Sequence, residues 1–139
     1  MTFRVLHHNQ CFDGACSAAV FTKFHQECIG TASDYEYCGL SHAATGGISD
    51  DVFGPGENAI VDFKYTASPK LTWWFDHHQS AFLTEEDRAH FVAGQRGALG
   101  MRQFFDPDMI SCTNFIAGAS ISTALCALSK RAPSMMSAQ

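Results

Sequence analysis

The 139-residue chain has no CxxC pair, few basic residues and no long apolar run. Its cysteines stand singly at 11, 16, 28, 38, 112 and 126, so the ligand spacing of a structural zinc module is missing. No stretch approaches the ~18 consecutive apolar residues of a membrane span, and no membrane partner is expected. Nine Lys and Arg against fourteen Asp and Glu give a net charge of −5. A chain without a cluster of cations does not grip long nucleic acid. The first residues run directly into "FRVLHH" with no apolar leader. The expected setting is therefore the reducing cytoplasm, with most thiols serving as small buried hydrophobes. No internal repeat is present, and the closing "KRAPSMMSAQ" carries no pattern.

What is present suffices for one core: 46% of residues are hydrophobic and 17% charged. "TFRVLHH" reads as a short strand that closes in polar residues. "DGACSAAVFTKFHQE" follows, with Cys16, Val20 and Phe24 four apart and Phe21 and Cys28 beside them. That is one helical face, with Asp13 placed to cap it. "YEYCGL" at 35–40 predicts a second strand, and the Gly, Ser, Asp and Pro of 41–58 predict a loop with one weak helical turn. "NAIVDFKY" at 58–65 is the clearest strand, and "LTWWFDHHQS" at 71–80 is another apolar run that ends in acid and imidazole. Thr84 and the acids behind it predict a helix over 84–93. "RQFFDP" predicts a short strand. Ala117, Ile121, Ala124, Leu125 and Leu128 form one stripe of a buried helix opened by "SCTN". Alternating strands and helices predict an α/β domain, a mostly parallel sheet flanked by helices.

In such sheets sites form at the carboxyl ends of the strands. Three strands here end in metal-binding side chains: "VLHH", "IVDF" and "WWFDHH". His7, Asp13, Asp62, Asp76, His77 and His78 are the inventory that holds two divalent cations ~4 Å apart around a bridging carboxylate. Manganese suits such mixed oxygen and nitrogen donors. Plainer readings exist. Asp13 serves as a helix cap, Asp62 begins a turn, and adjacent histidines close a strand. At least one of Trp73 and Trp74 reads as core rather than as part of a base-stacking platform. His25, His42 and His90 read as surface or helix polar groups. The agreement of three strand ends favours the metal reading.

These residues resemble the three motifs of the DHH phosphoesterase superfamily, in order and spacing, over roughly positions 3–125. The first is "HHNQCFDG" with His7, Asn9, Cys11 and Asp13; the second is "AIVDF" with Asp62; the third is "FDHHQ" with Asp76, His77 and His78. The resemblance implies that His7 and Asp62 bind one metal, and Asp13, Asp62 and His77 a second. Asp62 is then the bridge. His78 faces the substrate phosphate as donor or general acid, Asp76 orients an imidazole, and Asn9 supports substrate binding. The implied cofactor is a two-ion manganese site, with magnesium or zinc as alternatives.

Two departures stand against the family pattern. Cys11 occupies the position where many members carry Asp. As a thiolate ligand it would draw softer ions; as a bystander it leaves the first site weaker, which is the expectation here. The family's late metal-binding Asp has no match, since Asp106 and Asp108 come too early, and no second, substrate-gripping domain is expected within these 139 residues. Positions 1–130 are thus expected to form a DHH-type metal-binding domain and 131–139 a frayed tail, with an incomplete site. The implied activity is hydrolysis of a phosphate ester or anhydride by metal-bound hydroxide. Its substrate would be a short oligonucleotide, a nucleotide or polyphosphate. The alternative is a non-catalytic or truncated domain that binds phosphate or nucleotide. Association with a second copy of the chain is left open.

Overall fold

A computed structural model describes residues 1–30, 32, 34–42 and 46–118. β1 (Thr2–His8) leads into α1 (Phe12–Cys28), followed by β2 (Asp34–Leu40), β3 (Asn58–Val61), β4 (Trp73–Asp76), α2 (Glu85–Gly94), β5 (Gln103–Phe105) and α3 (Cys112–Ala117). Every strand pairing is parallel, in the order β2-β1-β3-β4-β5. This is the α/β architecture the alternating pattern predicts. Parallel strands covered on both faces read as unbroken apolar runs, and β3 and β4 are buried at every residue. From β1 the chain steps outward to β2, then crosses back to β3 on the other side. That reversal is a switch point, where a crevice opens at the strands' carboxyl ends.

Alternation along the strands divides their side chains between two cores. Val5, Val61, Trp73 and Phe75 pack with Phe21 and Phe24 of α1 and Phe115 of α3. Leu6, Ile60 and Trp74 face the other way, against Phe63, Tyr65, Leu71 and Phe91 of α2. Both tryptophans are core residues, and Trp74 Nε1 donates to the Phe63 carbonyl at 2.9 Å.

Several expectations need correction. The buried face of α1 runs through Gly14, Ser17, Ala18, Phe21 and Thr22, while Cys16 and Val20 are only half-buried. Its N-cap is Cys11, which makes no side-chain capping bond, so Asp13 does not cap this helix. His25 is not a surface group. It is fully buried among Phe3, Phe21 and Trp73, with Nδ1 2.7 Å from the Tyr35 hydroxyl. Cys11, Cys16, Cys38 and Cys112 are free thiols, whereas Cys28 is disulfide-bonded.

Elsewhere the elements fall where the pattern puts them. Thr84 caps α2, its hydroxyl accepting from the Asp87 N–H at 3.1 Å. The weak helical turn of the long loop is a 3-10 turn at Asp50–Val52. A second such turn, Ala98–Met101, had no sequence signal. The predicted stripe at Ile121, Ala124, Leu125 and Leu128 lies outside the described residues. No helix among the described residues is long and apolar enough to cross a membrane.

The start of α1 passes so close to the end of β1 that a Cβ on Gly14 would collide with the His8 carbonyl oxygen. Gly14→Ala should therefore destabilise the fold by about 1–3 kcal/mol in denaturant unfolding. Gly47→Ala, whose Cβ would meet nothing within 4 Å, should leave the midpoint unchanged. Equal midpoints for the two variants would mean that the helix start has room to move.

Candidate metal centre

Strand register carries three polar side chains to one edge of the sheet. His7 pairs with Val61 and Val61 with Phe75, so the next step along each strand is His8, Asp62 and Asp76. Two residues earlier stand Leu6, Ile60 and Trp74, all in the core beneath α2. A period of two turns His8 and Asp76 towards that side and His7 towards the other.

Asp62 departs from strand geometry. Its φ is +58°, a left-handed conformation that costs a non-glycine residue about 1–2 kcal/mol. Its N–H still donates to the Phe75 carbonyl at 2.9 Å, so the chain turns at the Asp62 Cα while its amide stays in the ladder. The carboxylate, 1% exposed, meets side chains from the two other motifs. Its Oδ1 lies 3.3 Å from His77 Nε2 and 3.9 Å from His78 Nδ1, and its Oδ2 accepts from the Cys11 thiol at 3.6 Å.

Asp13 reaches across the sequence to α3. Its Oδ2 accepts from the Cys112 N–H at 2.9 Å, and its Oδ1 accepts from the Thr113 N–H at 2.9 Å and the Thr113 hydroxyl at 2.6 Å. The carboxylate thus caps α3 rather than its own helix, and favours the positive end of that helix dipole. Burial pushes its carboxyl upward, but the bonds from Thr113 and Cys112 and the nearby His77 outweigh it and hold Asp13 below its ordinary value.

The histidines after β4 are oriented by acceptors. His77 Nδ1 lies 3.0 Å from the Met109 carbonyl, which can only accept, so the Nδ1 proton is fixed and Nε2 faces the carboxylates. That Nε2 is also 3.5 Å from Asp13 Oδ2. His78 Nδ1 donates to Asp76 Oδ1 at 2.7 Å. Asp76 is fully buried; burial drives its carboxyl up while His78 pulls it down, and burial prevails.

Two donor groups therefore share Asp62. One donor atom each from Asp62, Asp76, His77 and His78 lie within 4.8 Å of one another, and so do those of His8, Cys11 and Asp62. Asp13 approaches the first group through His77. His7 belongs to neither group; its Nδ1 lies 3.1 Å from the His8 carbonyl. The register that pairs His7 with buried Val61 sets His8 level with Asp62. A signal for His8 was present in the sequence, as the second residue after Leu6 on the same strand face. Asn9 is exposed, its side chain against Gly39 and its N–H bonded to the Leu40 carbonyl. Asp106 and Asp108 join neither group, and Asp106 Oδ1 accepts from the Asp108 N–H.

The donors fit a divalent cation. Asp62 Oδ1 and Asp76 Oδ2 are buried without a hydrogen-bond partner, each a cost of about 1–3 kcal/mol. Burial, then the Asp13 charge, pushes the Asp62 carboxyl above its ordinary value, against the pull of His78 and His77. A cation in contact with these oxygens relieves both the desolvation and the repulsion. His8, Cys11 and Asp62 offer it nitrogen, sulfur and oxygen; His77, Asp62 and Asp13 offer nitrogen and oxygen alone.

Asp62→Asn isolates this charge, since Asn tolerates the left-handed turn. With chelator present, the variant should be more stable than wild type at pH 7 by about 1–3 kcal/mol. Because the folded carboxyl is raised, its stabilising contribution is full below the unfolded pKa and is lost as pH rises through the folded value. The gap between the proteins should thus close in acid. Manganese should raise the unfolding midpoint of wild type only. A variant no more stable than wild type at pH 7 would mean that the chain's own residues already balance Asp62.

In comparisons with known proteins, no family model matches the chain, and neither a curated protein nor a solved structure matches it.

Proposed function

We propose that this chain is a metal-dependent phosphohydrolase of the DHH type, with a two-ion manganese site and magnesium or zinc as alternatives. Its substrate is a phosphate ester or anhydride on a small molecule or short oligonucleotide. Asp62 carries the reading: a buried carboxylate in a left-handed turn, shared by two donor groups, with one oxygen accepting no hydrogen bond. A turn-forming Asp would spend both oxygens on local amides.

A bound divalent cation supplies a water of pKa near ~7 and neutralises phosphate charge. The chain's residues supply the orientation. His77 presents Nε2 to Asp13 and Asp62 with its tautomer set by Met109. Asp76 holds the His78 proton on Nδ1, which leaves Nε2 as the atom turned to a phosphate oxygen or leaving group. His8 and Cys11 form the softer side, which favours zinc or iron over manganese there. The free thiols at 11, 16, 38 and 112 favour a reducing, cytoplasmic setting, against which the disulfide at Cys28 counts.

A second reading, a domain that binds phosphate or nucleotide without turnover, draws on Asp13, whose oxygens both already serve α3. Metal stoichiometry separates the two: two ions per chain for the hydrolase, one or none for the binding domain.

Manganese-dependent release from bis-p-nitrophenyl phosphate is the expected activity. His77→Ala should lower it by ~100-fold or more, with the fold retained by circular dichroism. Full release in excess chelator would exclude the metal reading.

A further inference from the structure

On the α2 side of the sheet edge, a cavity of about 200 Å³ opens beside Asp62 and Asp76. His42 enters it from the loop after β2, Lys64 from the loop after β3, and His78 and Ser80 from the loop after β4. Lys64 is the lysine of this lining. It is only 8% exposed, no carboxylate among the described residues pairs with it, and its ammonium rests 5.3 Å from the centroid of the Phe63 ring. The stem is packed while the ammonium stays within reach of solvent, as a long cationic side chain at an apolar wall does, so the charge is free to meet a ligand.

Other donors border the same space. The His42 ring stacks on the same Phe63 ring, at 4.8 Å and 26°. His78 has its Nδ1 committed to Asp76, which leaves Nε2, and Ser80 adds a hydroxyl. Donors arriving from three loops suit a tetrahedral oxyanion, which accepts in several directions, better than a planar carboxylate. We propose that this cavity seats a phosphoryl group and that Lys64 is its principal charged anchor. The proposal rests on the metal reading in one respect: Asp62 and Asp76 also border the cavity, and a cation between them and the phosphate removes their repulsion.

Calorimetric titration of the full chain with inorganic phosphate and with methyl phosphate, each with and without manganese, tests it. Lys64→Met keeps the buried stem and removes the charge. It should weaken both probes by about tenfold or more while manganese affinity and stoichiometry stay as in wild type. Tighter methyl phosphate would identify the seat with a substrate ester, and tighter inorganic phosphate with a released product; loss of either on Lys64→Met supports the site. Should manganese fail to bind at all, the hydrolase reading falls, but Lys64-dependent binding of phosphate to the metal-free chain would still support the seat. Unchanged phosphate affinity in Lys64→Met, or no phosphate binding by wild type with or without manganese, overturns it. If Lys64→Met does not fold, His42→Gln at an exposed position takes its place, and unchanged phosphate affinity there overturns the proposal.

Discussion

A carboxylate buried to 1% exposure, with one oxygen accepting no hydrogen bond, is the constraint around which this molecule is arranged. Such a charge is not tolerated in an apolar interior unless a cation or a proton balances it. The fold buries Asp62 and, among the described residues, pairs it with no Lys or Arg. It places the residue at the switch point, turns its backbone into the left-handed region and surrounds it with imidazoles, a thiol and two further carboxylates. Each of those neighbours is fixed by something else: His77 by a carbonyl, His78 by Asp76, Asp13 by α3. The groups are held ready, so little ordering is left to oppose ligand binding.

The sheet edge also divides the chemistry. On the α1 and α3 side lie Asp13 and His77. On the α2 side lie His8, His78 and the cavity that holds Lys64. Asp62 is the residue that touches both. The same alternation that sends Val61 into one core and Ile60 into the other parts Asp13 and His77 from His8, His78 and Lys64. On the proposed reading, a phosphoryl group attacked at a metal site draws on both sides at once.

The strand ends were legible in the sequence because apolar runs that stop abruptly in His or Asp leave few alternatives. The parallel sheet and the meeting of Asp62 with His77 follow from that pattern, and the Thr84 cap from the acids behind it. Register was not legible. In "VLHH" two adjacent histidines necessarily point to opposite faces, and only the pairing of His7 with Val61 shows that His8 is the one beside Asp62. Asp13 reads locally as a cap for α1, yet its partners lie about a hundred positions away at Cys112 and Thr113. His25 was misplaced for a similar reason: the Tyr35 hydroxyl that makes its burial tolerable comes from another element. Lys64 gave no periodic signal at all, since its interest lies in the cavity it lines, which only packing reveals.

Asp13 at first sight argues against a second ion, because both of its oxygens are engaged. Counting lone pairs changes that. A carboxylate has about four acceptor sites, two on each oxygen. Thr113 occupies both sites of Oδ1, through its N–H and its hydroxyl, whereas Oδ2 accepts only from the Cys112 N–H. The site left open is therefore on Oδ2, and Oδ2 is the oxygen 3.5 Å from His77 Nε2. The α3 cap and a one-oxygen contact to a cation are compatible, and the first does not have to break for the second to form. The cap instead fixes which oxygen is offered, so the helix that appears to compete for Asp13 is what aims it.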